Sequence, residues 1–113
     1  GQNIFLIKNN VFYTNDHTSN ILLGITRSTL FELIEELGYK YKVQDISQDD
    51  LFSADEVFYC GSASEVTPIK QIDNHKVGNG KSGLLTLKLQ EKYYNIVRGK
   101  EEKYFKWLSF IND

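Results

Sequence analysis

The 113-residue sequence has no methionine, one cysteine, one proline and one tryptophan. Without methionine at position 1, Gly1 is not expected to be a translation start, and the chain reads as the C-terminal piece of something longer. The lone thiol, Cys60, cannot close an internal disulfide, so a reducing compartment is the natural setting. Arginine is scarce, limited to Arg27 and Arg98, and thirteen basic residues are interspersed with fifteen acidic ones. That pattern offers no footprint for nucleic acid or for an anionic membrane. No secretory signal and no apolar run of spanning length are seen, so a cytoplasmic protein is expected. Histidine is confined to His17 and His75, each in a polar turn with no cysteine or carboxylate at ligand spacing, so no metal site is expected. G-x-S-x-G, P-loop and G-x-G-x-x-G motifs are absent, and Gly78–Gly83 lacks the spacing of a phosphate loop and reads as a tight linker.

What is present is the composition of an ordinary globular domain, 41% hydrophobic and 25% charged with net charge −2, long enough for one core spanning 1–113. Asn3 to Lys8 and Val11 to Thr14 read as strands joined by an Asn9-Asn10 hairpin turn. Apolar residues at Leu30, Phe31, Leu33, Ile34 and Leu37 form a helical stripe that starts near Ile25 or Thr26 and stops at Gly38. Tyr39 to Ile46 alternates like a half-buried strand, and Ser47 can cap a short helix over Gln48 to Leu51. Glu56 to Cys60 reads as a strand buried on both faces. Val66 to Ile72 follows as a strand whose Pro68 implies an edge or an end, and Asp73-Asn74 turns the chain. Leu84 to Arg98 reads as an amphipathic helix, and Glu101 to Ile111 as a last short one. The acidic pairs Glu35-Glu36, Asp49-Asp50 and Glu101-Glu102 read as solvated helix faces. The fold class is therefore mixed α/β, a sheet wrapped by helices.

Two turns invite an anion. A helix that starts behind Gly24 with Thr26 in its first turn offers free backbone N–H groups and the positive end of the dipole. Capping by Thr26 or Ser28 explains the same residues without a ligand. Gly61-Ser62-Ala63-Ser64 follows a buried strand, where open α/β sheets present ligands. Residues so small let the backbone approach closely and form an anion-binding nest, although an ordinary tight turn has the same composition. Two such turns in one domain point to a ligand with one or two acidic groups. Cys60, with no cation beside it in sequence, reads as a buried structural thiol.

Asn3-Ile4-Phe5, Phe12-x-Thr14 and Leu22-x-Gly24-Ile25-x-Arg27 have the spacing of the class IV pyridoxal-phosphate aminotransferase signature. Ala54-Asp55-Glu56-Val57-Phe58, Gly61-Ser62-Ala63-x-Glu65-Val66-Thr67-Pro68 and Val77-Gly78-Asn79-Gly80-Lys81 resemble the C-terminal domain of branched-chain amino acid aminotransferases. Leu89-Gln90, Ile96-Val97-Arg98-Gly99 and Trp107-Leu108 extend the resemblance over essentially the whole chain. It implies the C-terminal domain of the fold-type IV, D-amino acid aminotransferase-like enzymes, a β-sheet or pseudo-barrel wrapped by helices, with pyridoxal 5'-phosphate as cofactor. Leu22 then matches the leucine against the pyridine ring. The N–H groups of Ile25 and Thr26, behind Gly24 and together with the Thr26 hydroxyl, match the phosphate donors. Ser62 matches a position that is usually threonine, and serine keeps the hydroxyl but not the methyl that fixes its rotamer. The N–H groups of Ser62 and Ala63, after Gly61, match those that take the substrate α-carboxylate.

The same resemblance places the Schiff-base lysine, and the glutamate that partners the pyridine nitrogen, upstream of Gly1. No catalytic residue is therefore expected on this chain, which alone is expected to be inert. The intact protein is expected to be a homodimer, with an N-terminal domain completing a site for an amino acid and a 2-oxo acid. The activity implied is transamination of leucine, isoleucine or valine with 2-oxoglutarate. D-amino acid aminotransferase and aminodeoxychorismate lyase share the fold, and a non-catalytic anion-binding module or a purely structural domain would retain the two turns without the chemistry.

Overall fold

The computed structural model describes residues 2–15, 21–61 and 65–97. β1 (Gln2–Lys8) and β2 (Val11–Thr14) form the expected hairpin. Its turn holds Asn9 and Asn10 at φ 51° and 64°, the paired left-handed conformation a two-residue hairpin needs and asparagine accepts. α1 (Ile21–Glu36) crosses over and returns the chain as β3 (Lys40–Val43), parallel to β2. Parallel neighbours require such a crossover. Gly38 at φ 90° ends the helix: its N–H donates to the Glu35 carbonyl, and the Tyr39 N–H to the Ile34 carbonyl at 3.1 Å. This pair of bonds is a Schellman closure.

α2 (Gln48–Ser53) begins with a capping box, in which the Asp50 N–H donates to Ser47 Oγ and the Ser47 N–H to Asp50 Oδ2. β4 (Glu56–Gly61) lies antiparallel to β1, and β5 (Glu65–Ile69) runs antiparallel along its other side. β6 (Gln71–Ile72) and β7 (His75–Lys76) make a small hairpin, and α3 (Leu84–Val97) closes the described chain. The sheet order is β3-β2-β1-β4-β5. Among the described residues it is open, and Pro68 sits on the edge strand β5 as expected.

The strand period divides the core in two. Phe5, Ile7, Phe12, Phe58 and Cys60 face Leu30, Leu33 and Ile34 of α1 and Leu89, Tyr93 and Ile96 of α3. Phe5 and Phe58, directly paired across β1 and β4, stack at 4.9 Å. Each buried phenylalanine contributes about 2–3 kcal/mol. On the other face Leu6, Ala54, Val57 and Val77 pack with Leu51 of α2 and Ile72 of the small hairpin.

Three expectations change. α1 starts at Ile21 rather than near Ile25, because leucine supports a helix and an interior glycine costs only about 1 kcal/mol. β3 is shorter than Tyr39 to Ile46 and largely exposed, with Val43 43% accessible, because it is an edge strand. The strand expected over Val66 to Ile72 divides into β5 and β6, which belong to different sheets, β6 pairing with β7. The helix expected over Glu101 to Ile111 lies outside the described residues.

Candidate functional site

The topology gathers one end of the sheet. β2 and β4 finish there, β1 and β5 begin there, and Gln2 pairs with Gly61. α1, which follows β2, starts at the same end. Its second turn lies close enough for the Arg27 charge to act on Cys60, the penultimate residue of β4. The start of α1 and Gly61, more than thirty positions apart in sequence, thus share one sheet end, where open α/β sheets arrange ligands. Of the predicted residues, Gly61 ends β4, and Ser62 and Ala63 lie outside the described residues. Leu22, Gly24, Ile25 and Thr26 are all in α1.

That last placement corrects the geometry expected of the helix start. The free N–H groups of a helix are those at its first four positions, and Ile25 is the fifth residue of α1. The Ile25 carbonyl accepts from Thr29 Oγ1 at 2.9 Å, and Thr26 is 2% exposed. Gly24, by contrast, is not crowded: among the described residues a Cβ there would meet nothing within 4 Å beyond the helix's own backbone.

Arg27 is the main group at this end that residue types alone did not reveal. It is 7% exposed and buries its guanidinium beside the Phe31 ring, 5.1 Å from the centroid. Nη2 donates to the Asn15 carbonyl, while Nε has no hydrogen-bond partner among the described residues. Asn3, 2% exposed and directly across from Cys60, likewise leaves Nδ2 unpartnered. Cys60 is buried as expected. Burial pushes its thiol up to about 11, against a smaller downward pull from Arg27 and from backbone hydrogen bonds. A thiol held that high is not a nucleophile at neutral pH.

The opposite end is built differently. Glu56, the first residue of β4, turns its carboxylate onto the start of α3. Oε1 accepts from the Thr86 N–H and the Thr86 hydroxyl, each at 2.8 Å, and Oε2 from the Leu85 N–H at 3.2 Å. A Cβ on Gly83 would overlap this carboxylate, and one on Gly78 (φ 56°) would run into the Asp55 carbonyl. The glycine-rich linker therefore makes room for the protein's own anion. Farther along α3, Gln90 Nε2 donates to the Val66 carbonyl of β5 at 2.9 Å. Glu56 on β4 and Gln90 on α3 thereby fasten to α3 both strands that lead to the Gly61 turn.

Other candidates fall away. His75 is exposed and packs against Phe52 at 4.7 Å, and no metal-binding group of side chains occurs among the described residues. A cavity of about 180 Å³ between β1, β2 and α2 opens on the other sheet face, lined by Leu6, Tyr13 and Ile46 among others. Among the described residues no helix is long and apolar enough to cross a membrane.

Residues 1–72 match the family model for amino-transferase class IV, and the chain belongs to that family. Within it, the chain is 46% identical over 114 aligned positions to the probable branched-chain-amino-acid aminotransferase of Aquifex aeolicus (strain VF5), covering 100% of this chain and 37% of that protein. The crystal structure of the branched-chain amino acid aminotransferase from Thermobaculum terrenum in its PLP-form superposes with a TM-score of 0.84 at 35% identity, over 95% of this chain and 35% of that one. The D-alanine aminotransferase of Bacillus licheniformis is 38% identical over 101 residues, 89% of this chain and 36% of that protein. The chain thus spans little more than a third of the length of these relatives. The fold class read from the sequence is borne out.

Proposed function

We propose that this chain is the phosphate- and carboxylate-binding half of a pyridoxal-phosphate-dependent aminotransferase that moves the amino group of leucine, isoleucine or valine to 2-oxoglutarate. The observation that carries the reading is the match along the entire chain to a relative named for that activity. The residues present fit a phosphorylated cofactor. Open space adjoins Gly24 near the start of α1. No acidic residue lies in the first turn of α1, so within the helix itself nothing neutralises its positive end. Bound there, the cofactor would supply the electron withdrawal that lets the substrate Cα proton leave.

Each residue then has a part. Leu22 packs on the ring, and the N–H groups of Ile25 and Thr26, with the hydroxyls of Thr26 and Ser62, donate to the phosphate. The Ser62 and Ala63 N–H groups take the substrate α-carboxylate, and Gly61 lets it approach. Freeing the Ile25 and Thr26 N–H groups requires the turn Ile21 to Gly24 to open, which glycine makes cheap. The lysine that bonds the cofactor and the acid at its ring nitrogen come from the rest of the polypeptide, so the 113-residue chain alone transaminates nothing. The intact protein works as a cytoplasmic homodimer, which its sedimentation tests.

The D-alanine aminotransferase relative supports a second reading, a D-amino acid specificity on the same scaffold. Visible absorption of the intact protein with bound cofactor separates them. Bleaching by L-leucine, reversed by 2-oxoglutarate, is expected. A response to D-alanine alone selects the second reading, and the absence of any cofactor band removes both.

A further inference from the structure

Buried donors without acceptors are rare and costly, about 1–3 kcal/mol each and more when charged. Two of them occur at the sheet end where β1 begins: Arg27 Nε and Asn3 Nδ2. Asn3 stands opposite Cys60 and on the same sheet face as Phe5, whose ring meets the Phe31 ring that Arg27 covers, so both donors border one locale. Both orphaned atoms are N–H donors, and one belongs to a permanent cation 93% withdrawn from water. The carbonyl of Asn15 and the face of Phe31 are its recorded contacts among the described residues, and neither carries a compensating charge. An anion is the partner that best compensates a buried guanidinium, and a planar carboxylate is its best geometric match.

We propose that Asn3 and Arg27 form a docking site for one carboxylate side chain of the polypeptide that adjoins β1 at Gly1, and that this ion pair seats the rest of the protein on the sheet end bearing Gly61. The chain spans 37% of its Aquifex aeolicus relative, and polypeptide preceding Gly1, as in the proposed function, would pass two residues from Asn3. The inference does not rest on the proposed cofactor or substrate. Arg27 acts here as a positioning residue.

The test uses the intact protein, stripped of cofactor, in phosphate-free buffer. Each Asp or Glu preceding Gly1 is changed to its amide, alone and combined with Arg27→Met, and the unfolding midpoints are compared. One acid is expected to lower the midpoint by several degrees when changed alone, yet by almost nothing beside Arg27→Met, since the two changes remove the same pair. Nitrogen NMR gives an independent reading on the unmutated protein and stays informative should Arg27→Met fail to fold. The Arg27 Nε–H is expected to exchange slowly in phosphate-free buffer and to quicken in the amide variant of that one acid. Coupling of Arg27 to no upstream acid would overturn the proposal. So would slow exchange that appears only after inorganic phosphate is added, which would make the site one for free anions.

Discussion

The two long helices lie on the same face of the sheet and begin at opposite ends of it. At the start of α3 the protein supplies its own anion: Glu56 fills the first turn with three hydrogen bonds, and Gly83 leaves room for the carboxylate. At the start of α1 there is no acid in the first turn, Gly24 borders open space, and the nearby cation Arg27 has no described carboxylate to pair with. The physics of a helix N-terminus is the same in both. At one end it is spent on holding the fold together, and at the other no described acidic side chain takes it up.

If α3 is a closed end, opening it should damage the fold first. Glu56→Ala removes the acceptor of three hydrogen bonds, one to a hydroxyl and two to backbone N–H groups. Thermal or urea unfolding of the intact protein should show a loss of about 3 kcal/mol, with Glu56→Gln recovering part of it. A loss below about 0.5 kcal/mol would mean that water replaces the carboxylate and that the contrast between the two ends is false.

The Arg27 end should reveal itself at alkaline pH. The Cys60 pKa is raised in the folded state from 9.0 to about 11. The unfolded thiol therefore ionises first, and stability present below pH 9 is lost as pH rises towards 11. Two pH units set an upper bound of about 2.7 kcal/mol on that loss. Cys60→Ala should flatten this segment of the stability–pH curve relative to the parent. An unchanged slope would show that Cys60 is not shielded in the folded protein.

Much of this architecture is legible in residue order. Asn9-Asn10 specifies the hairpin, Gly38 stops α1, Ser47 and Asp50 cap α2, and Pro68 marks an edge, because each acts through its own backbone conformation or immediate neighbours. The misplaced start of α1 is a contest between an interior glycine and its leucine neighbours, too close for a propensity argument to decide. Glu56 as the cap of α3 was hidden because its partners lie about thirty positions away. The orphaned donors of Asn3 and Arg27 were hidden for a related reason: polar residue types do not announce whether their hydrogens find acceptors. The two candidate stretches, Leu22-Leu23-Gly24-Ile25-Thr26 and Gly61-Ser62-Ala63, are visible in sequence. That Gly61 and the start of α1 share a sheet end follows only from the strand order and register.

Making the α1 end resemble the α3 end gives a smaller effect, on binding. Gly24→Asp places a carboxylate near the start of α1, where space exists for it. A resident anion should compete with the cofactor phosphate, lowering cofactor affinity about tenfold, or about 1.4 kcal/mol. Equilibrium titration of the stripped intact protein with pyridoxal phosphate reads this directly. Unchanged affinity would place the phosphate elsewhere.

The smallest and most discriminating change is Gly24→Ala, which adds a methyl and no charge. In the observed helix nothing lies within 4 Å of that methyl, so the substitution should stabilise the fold by about 0.5–1 kcal/mol through helix propensity. If Ile25 and Thr26 donate to the phosphate only after the turn Ile21 to Gly24 opens, the same gain counts against binding, because a helix made firmer is harder to open. Stability should then rise while cofactor affinity falls by a matching factor of about two to five. Should both rise together, α1 keeps its first turn when the phosphate is bound, and the donors are the N–H groups of Ile21 to Leu23 instead. Gly24 therefore separates a preformed anion site from one that the ligand must help to make.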